Sequence, residues 1–173
     1  MPRRSVVCLA VLACLGGCAG MRGSGPTAIA SLEARSGSSV SGTVTFRQAG
    51  DRLRAHVELS GLAPGSEHGF HVHDKGDCSA ADAASAGPHF NPGGVAHGRA
   101  GSDPHHAGDL PSLTADGNGK VRADLELSGV TLDAGPSSIV GRALIVHRDR
   151  DDFASQPAGN AGPRFACGVI RLQ

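Results

Sequence analysis

The chain has 173 residues, enough for one domain with its own core, and its 16 lysines and arginines balance 16 aspartates and glutamates. That balance excludes a strongly basic chain and gives no sign of nucleic-acid binding. With 26 glycines, no Trp or Tyr and few helix-forming runs, the composition points to an all-β protein rich in turns.

The opening MPRRSVVCLAVLACLGGCAG places Arg3 and Arg4 before an apolar stretch from Val6 to Leu15 and then small residues, the layout of a secretory signal peptide over residues 1–17. The apolar stretch is too short to span a membrane. LGGC, ending at Cys18, is similar to a bacterial lipobox, whose cysteine is lipidated and becomes the first mature residue. The alternative is a plain secretion signal cut nearby; either way the protein is expected to be exported. Residues 18–27 read as the lipidated cysteine and a small, polar tether, and residues 28–173 as the folded domain. With Cys8, Cys14 and Cys18 assigned to the signal and anchor, Cys78 and Cys167 remain and read as one disulfide in an oxidising compartment. Closing a loop of roughly 90 residues is worth about 4 to 5 kcal/mol in the chain-entropy model.

Within the domain, Val40, Gly42, Val44 and Phe46 alternate with Ser41, Thr43 and Thr45, the period of a half-buried strand. After the turn QAGD, Leu53, Ala55, Val57 and Leu59 alternate with Arg54, His56 and Glu58, so the two strands form a hairpin. His56 falls on the polar face and is excluded as a ligand. Gly69 to His73 is the next strand; there His71 and His73 share one face while Phe70 and Val72 share the other. Such a pair suits a metal, although two histidines on the polar face of a half-buried strand give the same string.

From Asp74 to about Gly108 there is no periodic segment. A run of that length inside a compact domain is either functional or disordered. Its one cysteine and four histidines argue for anchoring rather than disorder. Asp109 to Leu113 begins a short strand, TADGNGK supplies a turn, and Val121, Ala123, Leu125 and Leu127 alternate in another strand. SIVGRALIVH, a second long loop from 148 to 165, and FACGVIRL complete the chain. Seven or eight short strands without helical period make a β-sandwich or flattened barrel.

His89, His97, His106, Asp109 and His147 add to His71 and His73, giving six histidines and one carboxylate. One metal takes about four ligands, so seven suggest two metals, or one metal and several idle histidines.

GFHVHDKGDC, SAGPHFNPGGVAHG, HHAGDLP, IVHRDRDD and AGPRFACGVI, in this order, resemble the copper/zinc superoxide dismutase family in its bacterial periplasmic form, over roughly residues 40–173. The resemblance implies a Greek-key β-sandwich or flattened barrel of about eight antiparallel strands with two long functional loops. It implies one copper ion on His71, His73, His89 and His147, and one zinc ion on His89, His97, His106 and Asp109, with His89 bridging the two. Donor chemistry agrees: three nitrogens and a carboxylate suit a closed zinc site, and an all-nitrogen set with an open position suits redox-cycling copper.

By the same resemblance, Asp151 accepts hydrogen bonds from His71 and His97, and Arg164 stands at the mouth of the copper channel. His89 releases copper and takes a proton during turnover. Lys75, in the first loop, is a candidate for steering an anion. His68 and His105 match no ligand position and are expected to face solvent. The implied activity is disproportionation of superoxide in the periplasm or cell envelope, with the membrane reached through the lipid at Cys18, no nucleic-acid partner, and a homodimer slightly favoured over a monomer. The alternative reading is a non-catalytic periplasmic copper/zinc-binding module.

Overall fold

A computed structural model describes Met1 and residues 25–173. The expected signal peptide, Cys18 and most of the expected tether lie outside the described residues. Ten strands make up the regular structure: β1 (Thr27–Ala34), β2 (Ser41–Ala49), β3 (Arg52–Ser60), β4 (Glu67–His68), β5 (Phe70–His73), β6 (Leu113–Thr114), β7 (Val121–Leu127), β8 (Ala143–His147), β9 (Arg164–Val169) and β10 (Arg171–Leu172). The main sheet is antiparallel and runs β5-β8-β9-β1-β2-β3-β7, with β10 also paired to β1. The chain therefore crosses between the two halves of the sheet from β3 to β5, from β5 to β7 and from β7 to β8. Phe46 and Val57 from one half and Phe70, Val146 and Ile170 from the other share a single buried core, so the sheet curls on itself as a flattened barrel.

The β2–β3 hairpin follows its sequence period: Leu53, Ala55, Val57 and Leu59 are buried while the residues between them are exposed. Two elements differ from the sequence reading. β1 opens the folded domain in a stretch where the sequence reading names no strand. Its inward residues are Ala28, Ala30 and Leu32, and alanines give little hydrophobic contrast, so register with β2 and β9 supplies what the pattern does not. The strand expected from Asp109 is instead Leu113–Thr114, paired with β4. Asp109 makes only an isolated bridge to His71, because its carboxylate is turned inward among histidines.

The long first loop contains one 3-10 turn, Ala84–Ala86, and is stitched along the free edge of β5. Val72 donates to Gly108 and accepts from Phe90, and Gly108 donates to Phe90. Covering that edge blocks strand addition and brings His89 beside His73 and Asp109 beside His71. Gly108 permits the approach, since a β-carbon there would collide with the Val72 carbonyl. The loop is tied down a second time by the Cys78–Cys167 disulfide to β9, with Cα atoms 5.8 Å apart. Cys167 packs with Ala83, Ala86, Ala143 and Ile145, so the disulfide also seats the 3-10 turn.

Candidate metal centre

β5 and β8 supply three of the six histidines, and alternation directs them as the sequence implies. Phe70 and Val72 enter the apolar core, while His71 and His73 meet His89 and His147. Two groups of donors converge: His71, His73, His89 and His147, and His89, His97, His106 and Asp109, each with its atoms within 4.8 Å of one another. His89 belongs to both.

Four of the six rings, those of His71, His73, His97 and His147, turn one nitrogen outward to a fixed partner. His71 donates from Nε2 to Asp151 Oδ2 at 2.7 Å, His73 from Nδ1 to the Gly87 carbonyl at 2.8 Å, and His147 from Nδ1 to the Gly162 carbonyl at 3.0 Å. His97 donates from Nε2 to Asp151 Oδ1 at 3.0 Å, so one carboxylate joins the two groups. The opposite nitrogens face inward. Nδ1 of His71, Nε2 of His89 and Nδ1 of His97 are buried without a hydrogen-bond partner, a costly state unless a cation takes the lone pairs.

The second group also has the right dimensions. Asp109 Oδ1 lies 2.8 Å from His89 Nδ1, 3.1 Å from His97 Nδ1 and 3.3 Å from His106 Nδ1, and the two ring nitrogens of His89 and His106 are 3.4 Å apart. A tetrahedron with metal–ligand bonds of about 2.0 to 2.1 Å has edges of roughly 3.3 Å. Asp109 Oδ2 is occupied by the backbone amides of His106 and Gly98, which leaves Oδ1 free to ligate. The donors therefore fit zinc in the second group and copper in the first, all-nitrogen group.

Electrostatics keep the first group ready. Burial disfavours the imidazolium of His71 more than the Asp151 hydrogen bond favours it, pushing its pKa down to about 4. Burial, with the neighbouring His71, takes His147 down to about 3, and burial also holds His73 well below the ordinary value. These rings are neutral near pH 7, with lone pairs available. At His97 burial again opposes charge, but the carboxylates of Asp109 and Asp151 outweigh it and push the pKa up to about 9. Burial works against ionisation of Asp109 and Asp151, yet hydrogen bonds from His89 and His97, and from His71 and His97, hold both well below the usual carboxylate range.

A cleft of about 530 Å³ reaches the first group, lined by His73, His89, His147 and Arg164 together with Pro157 and Ala158. Arg164 is half-buried, and its guanidinium donates to the carbonyls of Ala83 and Gly87 at 2.6 and 2.7 Å. Both carbonyls belong to the turn that the disulfide seats. Lys75 is exposed, with its aliphatic stem against Gly87. A larger groove crosses the outer face of β2, β3 and β7, where His56 pairs with Asp124 at 2.7 Å, away from both donor groups.

His68 does not face solvent as expected. It is 2% exposed, because β4 turns its ring inward, where Nδ1 donates to the His147 carbonyl at 2.9 Å and Nε2 lies 2.6 Å from the Ser66 hydroxyl oxygen. His105 is half-buried, bonded to the His106 carbonyl and outside both groups. Gln156 and Gly159, which contact His97 and Asp151, were not singled out from the sequence; a glutamine and a glycine in an aperiodic loop carry no signal there.

Residues 40–170 match the family model described as copper/zinc superoxide dismutase. The chain is 43% identical over 137 residues to a protein of Paramecium bursaria Chlorella virus 1 named superoxide dismutase Cu-Zn, covering 76% of this chain and 72% of the relative. It is 41% identical over 155 residues to an extracellular superoxide dismutase Cu-Zn of Brugia pahangi, covering 84% and 76%. Among solved structures, the crystal structure of the clock protein EA4 superposes with a TM-score of 0.77 at 38% identity, covering 85% of this chain and 94% of that one.

Proposed function

Because the chain belongs to the copper/zinc superoxide dismutase family, and so is an oxidoreductase that takes one copper and one zinc ion, we propose that it disproportionates superoxide in the cell envelope. Two superoxide anions and two protons become one dioxygen and one hydrogen peroxide. The observation that carries this reading is the ring of His89, whose two nitrogens face two separate donor sets.

Copper held by His71, His73, His89 and His147 supplies the redox chemistry, while zinc held by His89, His97, His106 and Asp109 is redox-inert. The chain's residues do the rest. His89 holds and delivers a proton at Nε2, while Nδ1 stays fixed among His97, His106 and Asp109. Asp151 sets the orientation and basicity of His71 and His97 through the hydrogen bonds it accepts. Arg164 draws the anion into the cleft; its guanidinium cannot lose its proton at working pH, and the two carbonyls fix where it points. Lys75 adds positive charge on the exposed loop and steers the anion from farther out.

The protein is an envelope lipoprotein of the bacterial periplasmic type. Residues 1–17 are its signal peptide, Cys18 carries the lipid, residues 18–27 form the tether and residues 28–173 the catalytic domain, which pairs as a homodimer. LGGC supports the lipid anchor, and the Cys78–Cys167 disulfide and likeness to a relative named extracellular support export.

The test is the rate of superoxide consumption by the protein loaded with copper and zinc, against a zinc-only sample. A fast, copper-dependent rate is expected. A fully metallated but inactive protein would reject catalysis and leave a metal-binding module.

A further inference from the structure

His97 lies in a stretch of loop without strand partners, so its main-chain amide and carbonyl have no ladder to join. Both are taken by one side chain. Gln156 Oε1 accepts from the His97 amide at 2.8 Å, and Gln156 Nε2 donates to the His97 carbonyl at 3.0 Å. A primary amide carries an acceptor and donors in one plane, so Gln156 pairs with His97 much as a neighbouring strand would.

Other contacts complete the hold. Asp151, in the same loop as Gln156, takes the ring Nε2 of His97, and Asp109 Oδ2 takes the following amide of Gly98 at 3.1 Å. Nδ1 is left as the one polar atom of His97 without a hydrogen bond, and it faces the Asp109 donor set. The same contact has a second end: Pro157 and Ala158, next to Gln156, line the cleft with Arg164. Arg99, two residues past His97, lies 3.8 Å over the ring of Phe153 and ties the two loops again.

We propose that Gln156 is a positioning residue for zinc: by clamping both main-chain groups of His97 it fixes Nδ1 in the zinc donor set, and it holds the cleft lining at Pro157 and Ala158 to the zinc loop. This rests on His97 being a zinc ligand. Without the amide, a buried N–H and C=O must turn to find water, and the ring is carried with them. Lost outer partners of metal ligands weaken binding by about 10- to 100-fold.

The experiment compares the full chain with Gln156→Ala and Gln156→Glu. The ionised glutamate still accepts from the His97 amide but cannot donate to its carbonyl. Zinc release to a chelator, copper content, and the rise in Tm that zinc produces over the metal-free protein are measured; that rise reports zinc affinity by linkage. Zinc release about tenfold faster in Gln156→Ala, a smaller zinc-induced rise, unchanged copper and an intermediate Gln156→Glu are expected. Wild-type release in both variants overturns the proposal, as does an equal fall in Tm of the zinc-loaded and metal-free forms, which marks a merely structural bond. If zinc raises the Tm of the unaltered protein not at all, the zinc-ligand reading of His97 itself fails.

Discussion

Gly159 lies so close against Asp151 that a β-carbon on it would overlap Oδ1 and come within 2.6 Å of His97 Nε2. Its backbone cannot retreat, because its amide donates to Ser155 and its carbonyl accepts from Asp152. Gly159→Ala is therefore expected to break the Asp151–His97 hydrogen bond and to weaken zinc retention tenfold or more. Part of any loss of stability comes from φ, which at 63° lies in the left-handed region and costs a side chain about 1 to 3 kcal/mol. Gly65→Ala separates the two effects, since Gly65 has a φ of 71° and open space around it. Equal zinc retention in the two variants would show that the contact with Asp151 does not matter.

Two truncations are expected to divide the metals. His71→Ala removes a buried nitrogen from the first group and reaches the second through Asp151 and the neighbouring His89 ring without supplying it a donor, so copper content falls far more than zinc. His106→Ala touches only the second group and reverses the order. Metal analysis after dialysis against chelator reads both. Equal loss of copper and zinc in each variant would contradict two separate sites.

Arg164→Glu is expected to lower the rate by about ten- to a thousandfold, the range over which focusing acts, an effect documented with this enzyme family. Metal content is expected to stay level, because Arg164 bonds carbonyls of the disulfide-seated turn and no metal ligand side chain. Lys75→Glu tests the weaker, outer effect: its rate is expected to drop at low salt and to approach the unaltered protein's at high salt. A parallel loss of copper in Arg164→Glu would make the arginine structural, and a salt-independent Lys75→Glu rate would remove Lys75 from steering.

What could be read before the structure depended on contrast along the chain. β2, β3 and β7 alternate large apolar with polar residues, and GFHVH puts its histidines opposite Phe70 and Val72 by strand geometry alone. β1 was illegible because its core residues are mostly alanine. His68 was misread because burial at the end of a turn depends on which strand it pairs with, here β6, and not on its neighbours in sequence. Gln156 and Gly159 act through a main-chain contact and a missing β-carbon, and neither leaves a pattern in the chain.

Proton linkage sets opposite trends in the metal-free protein. His71 and His147 have folded pKa values of about 4 and 3 against an ordinary 6.5, so below 6.5 the unfolded chain binds protons that the folded one refuses. Their effect is a loss of stability as pH falls from 6.5 toward 4. His97, raised to about 9, contributes stability that is fully present below 6.5 and disappears as pH rises through 9. The metal-free protein is thus expected to have its highest urea midpoint near pH 6.5, with lower midpoints at pH 4.5 and 9.5. Zinc would compete with the proton on His97 Nδ1, beside the Asp109 carboxylate, so the alkaline decline should vanish in the zinc-loaded protein. Urea midpoints at the three pH values, with and without zinc, measure this directly. An alkaline decline of the same size in both forms would mean that His97 does not carry the charge that zinc replaces.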